Sequence, residues 1–214
     1  MARYSKMARY SSTAYSLFFV SVVFATAMAG QCHIALLNRC KAVYQDALDA
    51  TSIGEEGHCF RMQKLATCVA SEPKCGGELI EKLRYWVLQI AMMDSILGTC
   101  TDIDYSTLKS VVQDSDVAKT HRNLDDIEFD SFEECAVTVH KKCIRYYVTL
   151  LAKDHQICKD MGKHSTCYDS YSKSINCKAK IIQHFASMVE TVAQRVLDLL
   201  TTYMKSLCTS SDEL

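Results

Sequence analysis

Residues 78–100 read ELIEKLRYWVLQIAMMDSILGTC. Leu79, Leu83, Trp86, Ile90, Met93, Leu97 and Cys100 recur at alternating steps of four and three, which draws one apolar stripe along a helix. A second stripe of the same rhythm runs through Ile182, Phe185, Val189, Val192, Val196, Leu199 and Tyr203, with Leu200, Met204 and Cys208 following at four-residue steps. Upstream of each, a further helical pattern carries Leu36, Cys40, Val43 and Ala47 in one case and Val139, Cys143, Tyr146 and Leu150 in the other. A shorter helix is expected between them, near 59–70 and 157–169. With one Pro, seven Gly and little period-two alternation in 214 residues, the chain reads as all-α, with about three helices in each half.

Twelve cysteines punctuate these patterns, in two sets of six: Cys32, Cys40, Cys59, Cys68, Cys75 and Cys100, then Cys135, Cys143, Cys158, Cys167, Cys177 and Cys208. The spacings are C-x7-C-x18-C-x8-C-x6-C-x24-C and C-x7-C-x14-C-x8-C-x9-C-x30-C, so two gaps are identical and the others differ by a few residues. Neighbours keep the same offsets: Tyr44 answers Tyr147, Thr67 answers Thr166, and Arg39 answers Lys142. Shared fixed spacing marks repeated units. The expected organisation is a six-cysteine repeat over 30–100, an acidic linker over 101–134, a second repeat over 135–208 and a tail over 209–214.

Helix geometry limits how such cysteines can pair. Two residues eight apart on one helix are about 12 Å apart along its axis, whereas a disulfide needs Cα atoms within about 7 Å. Cys32 therefore cannot bond Cys40, nor Cys135 bond Cys143, and Cys59 is separated from Cys68 and Cys158 from Cys167 by the same reasoning. Bonds must run between helices. Each contributes roughly 2–4 kcal/mol, a useful supplement for a unit of this size with a small core. Zinc is disfavoured, since no C-x2-C knuckle is present, and the same absence removes a thioredoxin-type redox motif.

The N-terminus points to an oxidising destination. Arg3, Lys6 and Arg9 precede an apolar run from Leu17 to Ala29 that ends in Ala27-Met28-Ala29, the layout of a secretory signal peptide over 1–29. The run falls short of the roughly 20 apolar residues a spanning helix needs, so no membrane span is expected after its removal. Without it the chain holds 21 basic and 25 acidic residues, a net charge of −4. That balance, with no Lys/Arg run, excludes a nucleic-acid partner. The acidity concentrates in 101–134, where ten carboxylates face Lys109, Lys119 and Arg122. The segment reads as a solvated linker with one short helix near Tyr105–Val112; it lacks the turn Gly of a calcium loop.

Signals of catalysis are missing. No H-E-x-x-H, G-x-S-x-G or Gly-rich phosphate loop occurs, and His33, His58, His121, His140, His155, His164 and His184 are scattered singly, as on helix surfaces and ends. No catalytic residue, cofactor or metal ligand is assigned. Tyr85, Trp86, Tyr146 and Tyr147 could line an apolar pocket between helices, although core packing is the simpler expectation. The chain ends Ser211-Asp212-Glu213-Leu214, one residue away from the retrieval signals of the endoplasmic reticulum. The leading expectation is a secreted, non-enzymatic helical binding protein for a protein or small apolar ligand. The alternatives are a luminal protein, retrieved through the terminal SDEL, that assists folding or holds calcium weakly, and a carrier of a small apolar molecule.

Overall fold

The computed structural model describes residues 32–52, 54–127, 134–154 and 157–203. Among them the chain is helical, with no strand. Helix α1 spans 32–49, α2 Glu55–Ala70, α3 Glu78–Ile96, α4 Ser106–Val112, α5 Asp116–Thr120, α6 Glu134–Asp154, α7 Ile157–Ser174 and α8 Lys180–Tyr203, with a single 3-10 turn at Leu124–Asp126. The leader (1–29), Met204, Cys208 and the terminal SDEL lie outside the described residues.

Both expected stripes are buried. Leu79, Trp86, Ile90, Met93 and Leu97 on α3 and Ile182, Phe185, Val189, Val192, Val196 and Leu199 on α8 all belong to one core, and the two helices pack against each other. On α6, Val139 and Cys143 are buried as expected, but Tyr146 is 41% exposed. Its neighbour Tyr147 turns inward in its place.

Five disulfides tie the described helices, with Cα separations of 5.5–5.9 Å. Cys32–Cys75 fixes the start of α1 to the loop before α3, Cys40–Cys68 clamps α1 to α2, and Cys59–Cys100 ties α2 to the end of α3. In the second half Cys135–Cys177 and Cys143–Cys167 join α6 to the loop before α8 and to α7. No bond links two cysteines of one helix, as the helical rise requires. The order is first with fifth, second with fourth and third with sixth in the first set; the second set repeats first with fifth and second with fourth. The Cys158 side chain and Cys208 fall outside the described residues.

Helix ends are closed by specific devices. At the end of α3, Gly98 takes φ +66°, Gly98 N–H donates to Ser95 O at 3.1 Å and Thr99 N–H to Asp94 O at 2.8 Å. This pair of bonds is the Schellman arrangement, and it carries Cys100 back toward α2. After α7, Asn176 (φ 53°) plays the same part, with Asn176 N–H on Lys173 O and Cys177 N–H on Ser172 O. The buried Arg84 guanidinium donates to Val69, Glu72 and Cys75 carbonyls at 2.6–2.7 Å, satisfying the end of α2 with a cation where the helix dipole favours one. At the entry to α3, Gly77 has φ +108°, and a Cβ there would stand 2.6 Å from the His33 ring.

The acidic segment departs from the expected solvated linker. Besides α4, it forms α5 and the 3-10 turn, and it buries Leu108, Val112, Val117 and Leu124 in the main core. Polar bonds fix it to α3: Tyr85 Oη donates to Arg122 O at 2.8 Å, Gln89 Nε2 to Asn123 Oδ1 at 2.8 Å, and Leu124 N–H to Gln89 Oε1 at 2.9 Å. Asp102, Asp104, Asp114, Asp116 and Asp125 are exposed around these apolar side chains, so net charge misreports the burial of the four apolar residues between them.

Candidate ligand-binding cavity

A cavity of about 140 Å³ lies where six helices meet, three from each half of the chain. Leu37, Cys40, Lys41, Tyr44, Gln45 and Leu48 of α1 form one wall, with His58, Met62 and Leu65 of α2 and Leu83, Trp86 and Ile90 of α3 beside them. Ile144, Tyr147, Val148 and Leu151 of α6, Met161 and His164 of α7 and Val196 and Leu200 of α8 close the other side. The void parts the main core from a smaller cluster of Leu48, Ile144, Val148 and Leu151, against which Tyr44 and Tyr147 pack. Lys41, Tyr44 and Gln45 are half-buried, which gives the cavity a rim on α1.

Behind this wall lies a chain of buried polar groups drawn from four helices. Asp94 is fully buried on α3. Its carboxylate accepts from His58 Nε2 of α2 at 2.9 and 3.0 Å and from His140 Nε2 of α6 at 2.8 Å. A carboxylate only accepts, so both Nε2 atoms carry protons, the tautomers being set by this network. On its other edge, His140 Nδ1 is hydrogen-bonded to Tyr168 Oη of α7 at 2.9 Å. Burial alone would raise the Asp94 pKa, but the two imidazoles outweigh it and hold the group at about 2, so it stays charged.

Local structure explains how these groups meet. The Schellman turn returns Cys100 to α2, and the Cys59–Cys100 bond beside it sets His58 against Asp94. His140 and Tyr168 arrive when α6 and α7, held together by Cys143–Cys167, pack on α8, which itself packs on α3.

His164 of α7 completes the site. Its ring sits 4.7 Å from Tyr147, 5.4 Å from Tyr168 and 6.1 Å from Trp86, centroid to centroid. Burial, with smaller contributions from His140 and His58, drives its pKa down to about 3, so the ring is neutral. Burial likewise raises Tyr147 and Tyr168 well above the ordinary tyrosine value. It also raises Tyr44, an effect that the nearby Arg61 guanidinium partly draws back.

Three lining side chains keep a buried ring nitrogen without a partner: His58 Nδ1, Trp86 Nε1 and His164 Nδ1. His58 lines the cavity while its Nε2 is bonded to Asp94, so Nδ1 is its one uncommitted ring nitrogen.

Of the aromatics singled out from sequence, Trp86 and Tyr147 line the cavity, Tyr85 is buried against the acidic segment, and Tyr146 faces solvent. The histidine expectation is corrected for three of seven, since His58, His140 and His164 are core residues at 4%, 0% and 2% exposure. They can be buried because each meets a carboxylate, a hydroxyl or an aromatic ring there. Asp94 went unremarked, although it is the lone charge between Tyr85 and Cys100.

Among the described residues, the side-chain groups close enough to hold a metal are Cys32/His33/Cys75 and His58/Asp94/Cys100. Both depend on disulfide sulfurs, which lack the thiolate a metal would take. No described helix is long and apolar enough to cross a membrane. No known protein family, curated protein or solved structure matches the chain.

Proposed function

We propose that the chain is a non-enzymatic binding protein that encloses one small apolar molecule in the cavity between its two halves. The observation that carries this reading is the cavity, walled almost wholly by aliphatic and aromatic side chains and framed by six helices, of which α1, α2 and α3 are tied together by disulfides and α6 is tied to α7. Pockets of that chemistry between helices are the usual place for a ligand in a bundle. Its size argues for a small occupant: an apolar cavity of about 150 Å³ holds a benzene-sized molecule, so a long-chain lipid would not fit inside. The lining supplies no Ser, Thr or free thiol as nucleophile, which favours binding over turnover.

Five disulfides belong to an oxidising environment, outside the cell or in the lumen of the endoplasmic reticulum; with the leader-like N-terminus we take secretion as the destination. The recurrence of the first-with-fifth and second-with-fourth pairings supports an origin by duplication of a six-cysteine unit, with 30–100 and 135–208 as the copies.

Trp86 is the sole Trp and lines the cavity, so its fluorescence reports occupancy. Titration with benzene-sized aromatics is expected to shift that emission and raise Tm. Val148→Phe, which fills the cavity from α6, is expected to abolish both responses in a chain whose circular dichroism is unchanged. A wild-type chain that shows neither response overturns the reading.

A further inference from the structure

An apolar void needs no polar lining, yet this one presents three. His58, Trp86 and His164 are each more than nine-tenths buried, and each leaves one ring nitrogen unpartnered. A buried donor or acceptor left unpaired is costly, so three around one cavity mark where a polar group of the occupant belongs.

Resting on the binding reading above, we infer that the occupant is an uncharged, largely hydrocarbon molecule bearing a hydroxyl, which pairs with the ring nitrogens of His58, Trp86 and His164. The chemistry of the three atoms selects the group. Trp86 Nε1–H can only donate and needs an acceptor. His58 commits one ring N–H to Asp94 through Nε2, which leaves Nδ1, an acceptor in that tautomer, for the occupant. His164 Nδ1 takes either partner according to tautomer. A hydroxyl is the smallest group that offers both a proton and lone pairs, and a pure hydrocarbon would leave all three atoms bare.

Charge excludes the other common polar groups. An anionic head would meet the carboxylate behind His58; the one lining Lys or Arg, Lys41, stands at the half-buried rim, and the buried Arg61 beside Tyr44 is committed to Thr51 and Ser52. A cationic head would be stripped of water with no carboxylate in the lining to meet it. The volume, about 140 Å³, sets the hydrocarbon part at about the size of one aromatic ring with a short substituent.

The test uses four probes of one shape on the full chain, by calorimetry: p-cresol, p-xylene, p-toluate and p-methylbenzylamine. The cresol is expected to bind at least tenfold more tightly than each of the others. Three variants then locate the hydroxyl. Trp86→Phe and His164→Phe keep a ring and remove its nitrogen, while His58→Gln keeps a donor toward Asp94 and removes Nδ1. At least one is expected to cut the cresol preference over xylene tenfold or more while xylene still binds, which also shows that the cavity remains intact. Equal binding of cresol and xylene, tighter binding of the toluate or the amine, or a preference that survives all three variants would overturn the hydroxyl assignment and leave the cavity reading standing. Failure of all four probes to bind would sink both.

Discussion

Replacing Asp94 with Asn tests the polar chain at its centre. The carboxylate accepts from two imidazoles, with His58 Nε2 spread across both oxygens and His140 Nε2 on Oδ1. An amide keeps one acceptor and turns a donor toward His58. That ring must then shift its proton to Nδ1 so that Nε2 can accept. The folded state holds Asp94 at about 2 against an ordinary 3.8, which at about 1.36 kcal/mol per pH unit is about 2.5 kcal/mol of preference for the charged form. A buried group that loses its hydrogen-bond partner costs about 1–3 kcal/mol, so with that preference Asp94→Asn should lower stability at pH 7 by roughly 2–4 kcal/mol. The sign of the pH dependence follows from the depressed pKa. The carboxylate contribution is complete above pH 3.8 and fades as pH falls toward 2, because protonation then makes wild type resemble the variant. Denaturant unfolding of both chains, disulfides intact, at pH 7, 5, 4, 3 and 2 measures the gap. A difference below about 0.5 kcal/mol at pH 7, the scale of an ordinary surface substitution, would refute the argument. So would a gap that stays constant down to pH 2.

Other consequences are open to direct measurement. His164 is held neutral down to about 3 where the ordinary value is 6.5, so below pH 6.5 the unfolded chain binds a proton that the folded chain refuses. Stability should therefore fall as pH drops from 6.5 toward 3, and His164→Phe should flatten that slope; identical slopes in the two chains would show that the ring titrates freely. Leu108→Ala, at a fully buried position of α4, should cost about 2–5 kcal/mol, where a solvated linker would register almost nothing. Arg84→Met should destabilise by about 2 kcal/mol or more, since it strands the buried Val69 and Cys75 carbonyls and leaves Glu72 O with Cys75 N–H alone; a loss under about 1 kcal/mol would mean that water replaces the guanidinium. A non-reducing peptide map should recover the five described pairs and join Cys158 to Cys208, the counterpart of Cys59–Cys100. A Cys32–Cys40 peptide would contradict the helical clamp.

The helices and their inward faces were legible because period and burial are local properties. The stripe on α3 needs nothing beyond its own residues, and the i to i+8 argument that forbids Cys32–Cys40 needs only the rise of a helix. The choice among the remaining pairings was not legible, because it depends on which helix lies beside which. The polar chain was hidden for a related reason: His58 and Asp94 are 36 positions apart and His140 and Asp94 are 46 apart, and no local pattern announces such a meeting. One signal was present. A single carboxylate inside the run from Tyr85 to Cys100 cannot be buried uncompensated, so Asp94 by itself demanded partners. The acidic segment misled in the opposite direction, because charge density describes a helix's outer face while the spacing of Leu108 and Val112 describes its inner one.

The disulfides also bear on the order in which this molecule assembles. All five described bonds close within one half, between cysteines 24 to 43 positions apart, and loop closure over such spans differs little in entropy. Each half can therefore oxidise on its own schedule, with the N-terminal half ready while the rest of the chain is still being made. The His140 bond to Asp94 and the walls of the cavity arise only when the halves dock. The cavity thus needs a docking step that no described disulfide enforces. A ligand supplied during export would act on that docking step, raising the yield of docked chain while leaving the set of disulfide pairs unchanged.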